Sequence, residues 1–144
     1  MSFAREMLDA APGSIELDRD ALVAAIEACA DSAQACTACA DSSLAEDDVA
    51  TMARSIALND QCADVCTATE RLLSRPLHPD HLVMHRLLRA CIRTCTTCAE
   101  ECERHAAHHP HCGICARACR LCAKACGQLL EAEAFEELEK LAGG

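Results

Sequence analysis

Between Cys91 and Cys126 the sequence reads CIRTCTTCAEEC, then ERHAAHHPH, then CGICARACRLCAKAC. Cysteines at 91, 95, 98 and 102 follow steps of 4, 3 and 4, and those at 112, 115, 119, 122 and 126 follow 3, 4, 3 and 4. Residues three and four apart on a helix share one face, so each block reads as a helix bearing a continuous stripe of thiols. The histidine-rich segment is the turn between them, and two antiparallel helices joined there would face each other sulfur to sulfur. Thiolates are soft ligands, so such a lining is chemistry for a soft metal ion.

The remaining cysteines extend the pattern. Cys29, Cys36 and Cys39 follow Leu22 and Ile26 on one helical stripe, with Ser32 or Ala33 between them. Cys62 and Cys66 share a stripe with Met52, Ile56, Asn59, Thr69 and Leu73, and Asn59 stands one turn before Cys62. An amide placed in a core needs a hydrogen-bond partner.

Cys-x-x-Cys pairs occur at 36–39, 95–98, 112–115 and 119–122. Each alone could be a zinc half-site, an iron–sulfur ligand pair or a redox dithiol. Structural zinc and iron–sulfur clusters draw four thiolates to one point, usually from turns or loops, whereas these thiols form a tube along long helices. A thioredoxin-type dithiol expects a βαβ setting that is not legible here. Cu(I) accepts two or three thiolates and tolerates bridging sulfurs, so fully bridged sites would hold about one ion per cysteine, roughly 14. On the residues alone, zinc or iron–sulfur binding and a thiol redox enzyme or oxidant sensor remain alternatives.

Four long helices must position these stripes. The first starts at Asp18 or Asp20, either of which can cap it, and runs to about Ser43. The second covers about Asp47 to Ser74, and Arg75-Pro76-Leu77-His78-Pro79 breaks the chain. The third covers about Asp80 to His108, and the fourth runs from Pro110 to about Leu141, with Leu129, Leu130, Leu138 and Phe135 beyond its last cysteine. A short helix precedes them and stops at Ala11-Pro12-Gly13. Residues 1–13 therefore read as an N-terminal extension and residues 14–144 as the domain. Short connections make successive helices antiparallel, which predicts an all-α, up-down-up-down four-helix bundle. Leu22, Ile26, Leu72, Leu73, Leu87, Leu88, Leu129 and Leu130 then collect at one end as an apolar plug, and the thiols run toward the His105–His111 turn. His105, His108, His109 and His111, with Met52, are candidates for a metal entrance at that turn, while His78, His81 and His85 read as solvated or capping residues.

Composition narrows the class. Phe3 and Phe135 are the aromatic residues, so core bulk must come from Leu, Ala and Cys, and a free Cys packs as a small hydrophobe. The net charge of -10 opposes nucleic-acid binding, which calls for a clustered basic face. The first residues lack a long apolar run, and no stretch approaches the roughly 20 apolar residues that span a membrane. A cytoplasmic setting with reduced thiols follows as the expectation. Cysteines three and four apart on one helix have near-parallel Cβ vectors, which disfavours disulfides.

These stripes, with the His-rich turn, resemble the bacterial cytosolic copper storage proteins over residues 18–142. The resemblance implies a non-enzymatic store for many Cu(I) ions, usually a homotetramer. It implies that every cysteine from Cys29 to Cys126 faces the metal-filled core. It further implies that Asn59 is a polar core ligand and that the histidine segment is the mouth through which copper passes.

Because neutral thiols pack as apolar groups, the reduced, metal-free protein is expected to give a fully helical far-UV circular dichroism spectrum. A random-coil spectrum would contradict a preformed container.

Overall fold

The computed structural model describes residues 2–133 and Gly143. Its elements are α1 (Ala4–Ala10), α2 (Arg19–Leu44), a 3-10 turn (Val49–Met52), α3 (Ala53–Leu73), α4 (His81–His105) and α5 (Pro110–Glu133). Among the described residues there is no strand. The four long helices form a ring in which α2 packs on α3 and α5, and α4 packs on α3 and α5. Neighbours are antiparallel: Cys29 lies 3.8 Å from Cys126 at one end of the α2–α5 pair, and Cys39 lies 3.9 Å from Cys112 at the other. None of the described helices is long and apolar enough to cross a membrane.

Helix boundaries follow local chemistry. The Asp18 side chain accepts from the Ala21 amide at 2.8 Å, so Asp18 rather than Asp20 caps α2. Asp80 does the same for α4 through the Val83 amide at 3.1 Å. Pro110 occupies the first position of α5, where its missing N–H leaves nothing unpaired. Helix α2 ends at Leu44 without a proline or glycine. The acidic run Glu46-Asp47-Asp48 follows, and negative charge opposes the negative C-terminal pole of a helix.

Three sequence expectations are corrected here. The second long helix does not begin near Asp47; a 3-10 turn intervenes, and α3 starts at Ala53. The third helix stops at His105 rather than His108, because the His108 and His109 amides both turn back onto the His105 carbonyl, at 3.1 and 3.0 Å. His85 is fully buried instead of solvated, while His78 is exposed and His81 half-buried. The expected run of the fourth helix to Leu141, with Phe135 and Leu138, lies outside the described residues.

The apolar plug is built mainly from Leu22, Leu73, Leu88 and Leu129, all fully buried, with Ile26 and Leu130 beside them. Leu72 and Leu87 are only half-buried. Leu8 of α1 and Leu17 join this same core. Ion pairs Arg5–Asp20 (3.0 Å) and Arg19–Asp9 (2.8 Å) tie α1 to the start of α2, although exposed pairs of this kind contribute little. Burial of Leu8 is the stronger tether.

Leu88→Ala in the reduced protein should cost about 2–5 kcal/mol in urea unfolding, because it removes a fully buried side chain from the plug and leaves a cavity. A loss below about 1 kcal/mol would mean that this end is loosely packed.

Candidate metal centre

All fourteen cysteines are free and buried. Each stripe faces the bundle axis, so the steps of three and four become layers of sulfur from facing helices. Nearest the leucine plug, Cys29, Cys91, Cys122 and Cys126 form one group of four thiols. Cys91 is its hub, within 4.0 Å of Cys29 and Cys126, 3.9 Å of Cys122 and 3.8 Å of Cys66. The next layer, Cys66, Cys91, Cys95 and Cys122, reuses two of those sulfurs. Cys62 then connects to Cys95 at 3.6 Å and Cys119 at 4.0 Å, handing the chain on to Cys36, Cys98, Cys115 and Cys119. Cys39, Cys102 and Cys115 follow, and Cys39, His111 and Cys112 close the series.

Two polar side chains interrupt the sulfur. Ser32 is fully buried on the α2 stripe, where the hydroxyl lies 3.5 Å from Cys66, 3.7 Å from Cys119 and 3.9 Å from Cys95. Asn59 is equally buried, and its Oδ1 accepts from the thiols of Cys98, Cys115 and Cys102 at 3.1, 3.4 and 3.5 Å. Asn59 is thus surrounded by three sulfurs of two other helices.

Burial disfavours a thiolate, and by that effect alone all fourteen thiols would be neutral. It dominates at Cys112, whose pKa is raised by desolvation and then by Cys39. Deeper in, neighbouring S–H donors reverse the balance. Cys122, with Cys126, Cys29 and Cys66, lowers the Cys91 thiol, and Cys115, with Cys36, Cys62 and Cys95, lowers Cys119. Cys36 falls to about 6, led by Cys115, and Cys66 to about 5, led by Cys122. Cys102 is lowered in the same way, led by Cys115, whereas the partners that donate in these contacts, Cys95, Cys98, Cys115 and Cys122, are raised.

At the far end, three histidines meet three carboxylates. His105 Nε2 lies 3.4 Å from Glu101, His109 Nε2 lies 3.1 Å from Asp48, and His111 Nε2 lies 3.0 Å from Glu46. His109 Nδ1 also lies 3.2 Å from Glu46, and its pKa is raised, first by the Asp48 hydrogen bond. His111 Nδ1 points inward, 3.3 Å from Cys39 and 3.6 Å from Cys112. His108 is exposed and is not part of this cluster. Met52 is fully buried in the 3-10 turn.

Layers that share sulfurs cannot all be closed four-ligand zinc sites at once; they are suited to an ion that tolerates bridging thiolates. Residues 18–131 match the family described as Csp, copper storage protein. The chain belongs to this family.

The chain is similar to a copper storage protein, Ccsp, of Streptomyces lividans, solved loaded with 10 copper equivalents. The two are 45% identical with a TM-score of 0.88, over 90% of this chain and 98% of that one. A second structure, of a cytosolic copper storage protein from Streptomyces lividans with five coppers, is 48% identical with a TM-score of 0.76. That match covers 78% of this chain and 93% of the other. A cysteine-rich protein of Bacillus subtilis, YhjQ, of uncharacterized function, is 35% identical over 103 residues, covering 72% of this chain and 90% of YhjQ.

The carboxylates Glu46, Asp48 and Glu101 had no place in the sequence-based site. The run at 46–48 reads from sequence as a helix-start signal, and only the packed turns reveal that it faces the histidines. Ser32 was visible on the stripe but indistinguishable from Ala33.

Cys91 serves two four-thiol groups and Cys112 sits at the end of the series. Anaerobic Cu(I) titration should therefore show that Cys91→Ser removes about two ions and Cys112→Ser about one. Equal losses would mean that the sulfurs act independently rather than as shared ligands.

Proposed function

We propose that this protein sequesters and stores many Cu(I) ions in the cytosol. The observation that carries the reading is the series of fourteen buried sulfurs, in layers linked by shared or touching thiols, from the leucine plug to the histidines. Membership of the copper storage family and the copper-loaded Streptomyces lividans relatives support it. The metal ligands are Cys29, Cys36, Cys39, Cys62, Cys66, Cys91, Cys95, Cys98, Cys102, Cys112, Cys115, Cys119, Cys122 and Cys126, with Asn59 among them.

Copper passes His111 at the histidine end and moves from thiol group to thiol group toward the plug. Each bound ion displaces thiol protons, so uptake releases acid. The interior needs no rearrangement for this, because donors within 4.8 Å of one another already face common points. In the extension at residues 1–13, α1 packs Leu8 against the core at the plug and takes no part in the chemistry. Nothing in this mechanism turns over a substrate, so the protein is a store and not an enzyme.

Association into a homotetramer fits the exterior of the bundle. Ile114 and Leu121 of α5 stand exposed beside a groove floored by Ala24, Ala28 and Ala118 and edged by Glu27, Asp31 and Arg117. Faces of this kind suit contact with further copies of the chain.

The deciding experiment is an anaerobic titration of the fully reduced protein with Cu(I), against a chromophoric Cu(I) chelator. The protein should strip the chelator until it holds about one ion per cysteine, roughly 14. Saturation at one or two ions would end the storage reading. Visible charge-transfer bands in the protein as purified would redirect it to iron–sulfur chemistry.

A further inference from the structure

The mouth contains three histidines, and the geometry does not treat them alike. A neutral imidazole has one N–H and one lone pair, and the partner of one nitrogen decides the role of the other. Glu46 Oε1 can only accept, so His111 Nε2, at 3.0 Å, carries the proton. That leaves the Nδ1 lone pair facing Cys39 at 3.3 Å and Cys112 at 3.6 Å. His109 differs. Both of its ring nitrogens face carboxylates, Asp48 at 3.1 Å and the second oxygen of Glu46 at 3.2 Å, so both are engaged there rather than turned toward the thiols. It joins the α2–α3 connection to the α4–α5 turn instead. His105 meets Glu101 at 3.4 Å, but that carboxylate also holds Arg54 at 3.5 Å and Arg104 at 3.2 Å.

Glu46 is the group common to both histidines. One oxygen takes His111 and the other takes His109. Its own amide donates to the Ser43 carbonyl at 3.3 Å, which fixes it just past the end of α2. Carboxylates behind a ligating histidine set its tautomer and orientation, and their removal typically lowers affinity or rate 10–100-fold.

We propose that Glu46 is the positioning residue of the mouth: it holds His111 with Nδ1 unprotonated toward Cys39 and Cys112, so that His111 receives copper, and it keeps His109 as a clasp between the two turns. The proposal rests on the copper-storage reading of the thiol core.

The test combines two readouts. In metal-free protein with 15N-labelled histidine, long-range proton–nitrogen spectra should show His111 as a single Nε2–H tautomer. Glu46→Ala should give a mixture of tautomers. In anaerobic transfer from a chromophoric Cu(I) chelator, E46A should load about tenfold more slowly than the unaltered protein, with an endpoint lower by no more than about one ion. Glu46→Gln retains an oxygen acceptor at nearly the same volume and should fall between. The double variant E46A/H111A should load no more slowly than H111A alone, because Glu46 acts through His111.

A single His111 tautomer in both E46A and E46Q, with unchanged loading rates, would overturn the proposal. So would additive slowing in the double variant. If E46A perturbed the helical spectrum, the nearly isosteric E46Q would carry the comparison. Should the unaltered protein take up only one or two ions, the storage reading would fail, and the tautomer comparison would still judge Glu46 by itself.

Discussion

A thiol has two characters, and the whole interior depends on both. Protonated, it is small and nearly apolar, and it packs like an aliphatic side chain. Deprotonated, it is a soft ligand. Fourteen such groups can fill the centre of a bundle in place of leucine and still act as donors when a metal arrives. The helical steps of three and four provide the alignment, and the antiparallel ring brings four stripes into register. Separations of 3.5–4.0 Å between sulfurs of facing helices result from that register and not from any local loop.

The two ends of the bundle differ in kind. Leucines close one end with ordinary hydrophobic packing, where the cost of exposing apolar surface favours closure. The other end is held by histidine–carboxylate pairs between short turns, which are polar and mutually dependent. Between them Ser32 and Asn59 place oxygen among the sulfurs. Both lie fully buried within reach of three cysteines, so each can support thiols or thiolates without breaking the continuity of the lining.

Much of this was legible in the sequence because its signal was periodic. Cysteines spaced as at 91, 95, 98 and 102 can occupy one helical face only, and short connections at Pro76, Pro79 and Pro110 leave few topologies. Terminal and tertiary details were not legible. Asp18 and Asp20 are equivalent as caps until hydrogen-bond geometry chooses Asp18. His85 has no neighbours in sequence that announce its burial. Nor was it legible that neighbouring S–H donors pull Cys36, Cys66, Cys91, Cys102 and Cys119 down against the effect of burial. Glu46 and Asp48 required the fold most of all: they lie about sixty residues from the histidines they bind.

The plug has a consequence for the order of traffic. With Leu22, Leu73, Leu88 and Leu129 sealing one end, ions taken in through the histidine end must leave by the same route. On the proposed reading the bundle would work as a stack rather than a pool: the last ion in would be the first out. Copper next to Cys39 and Cys112 would be current stock, readily exchanged, while copper around Cys29 and Cys126 would be reserve. A single chain would in this way keep two classes of the same metal, distinguished only by depth.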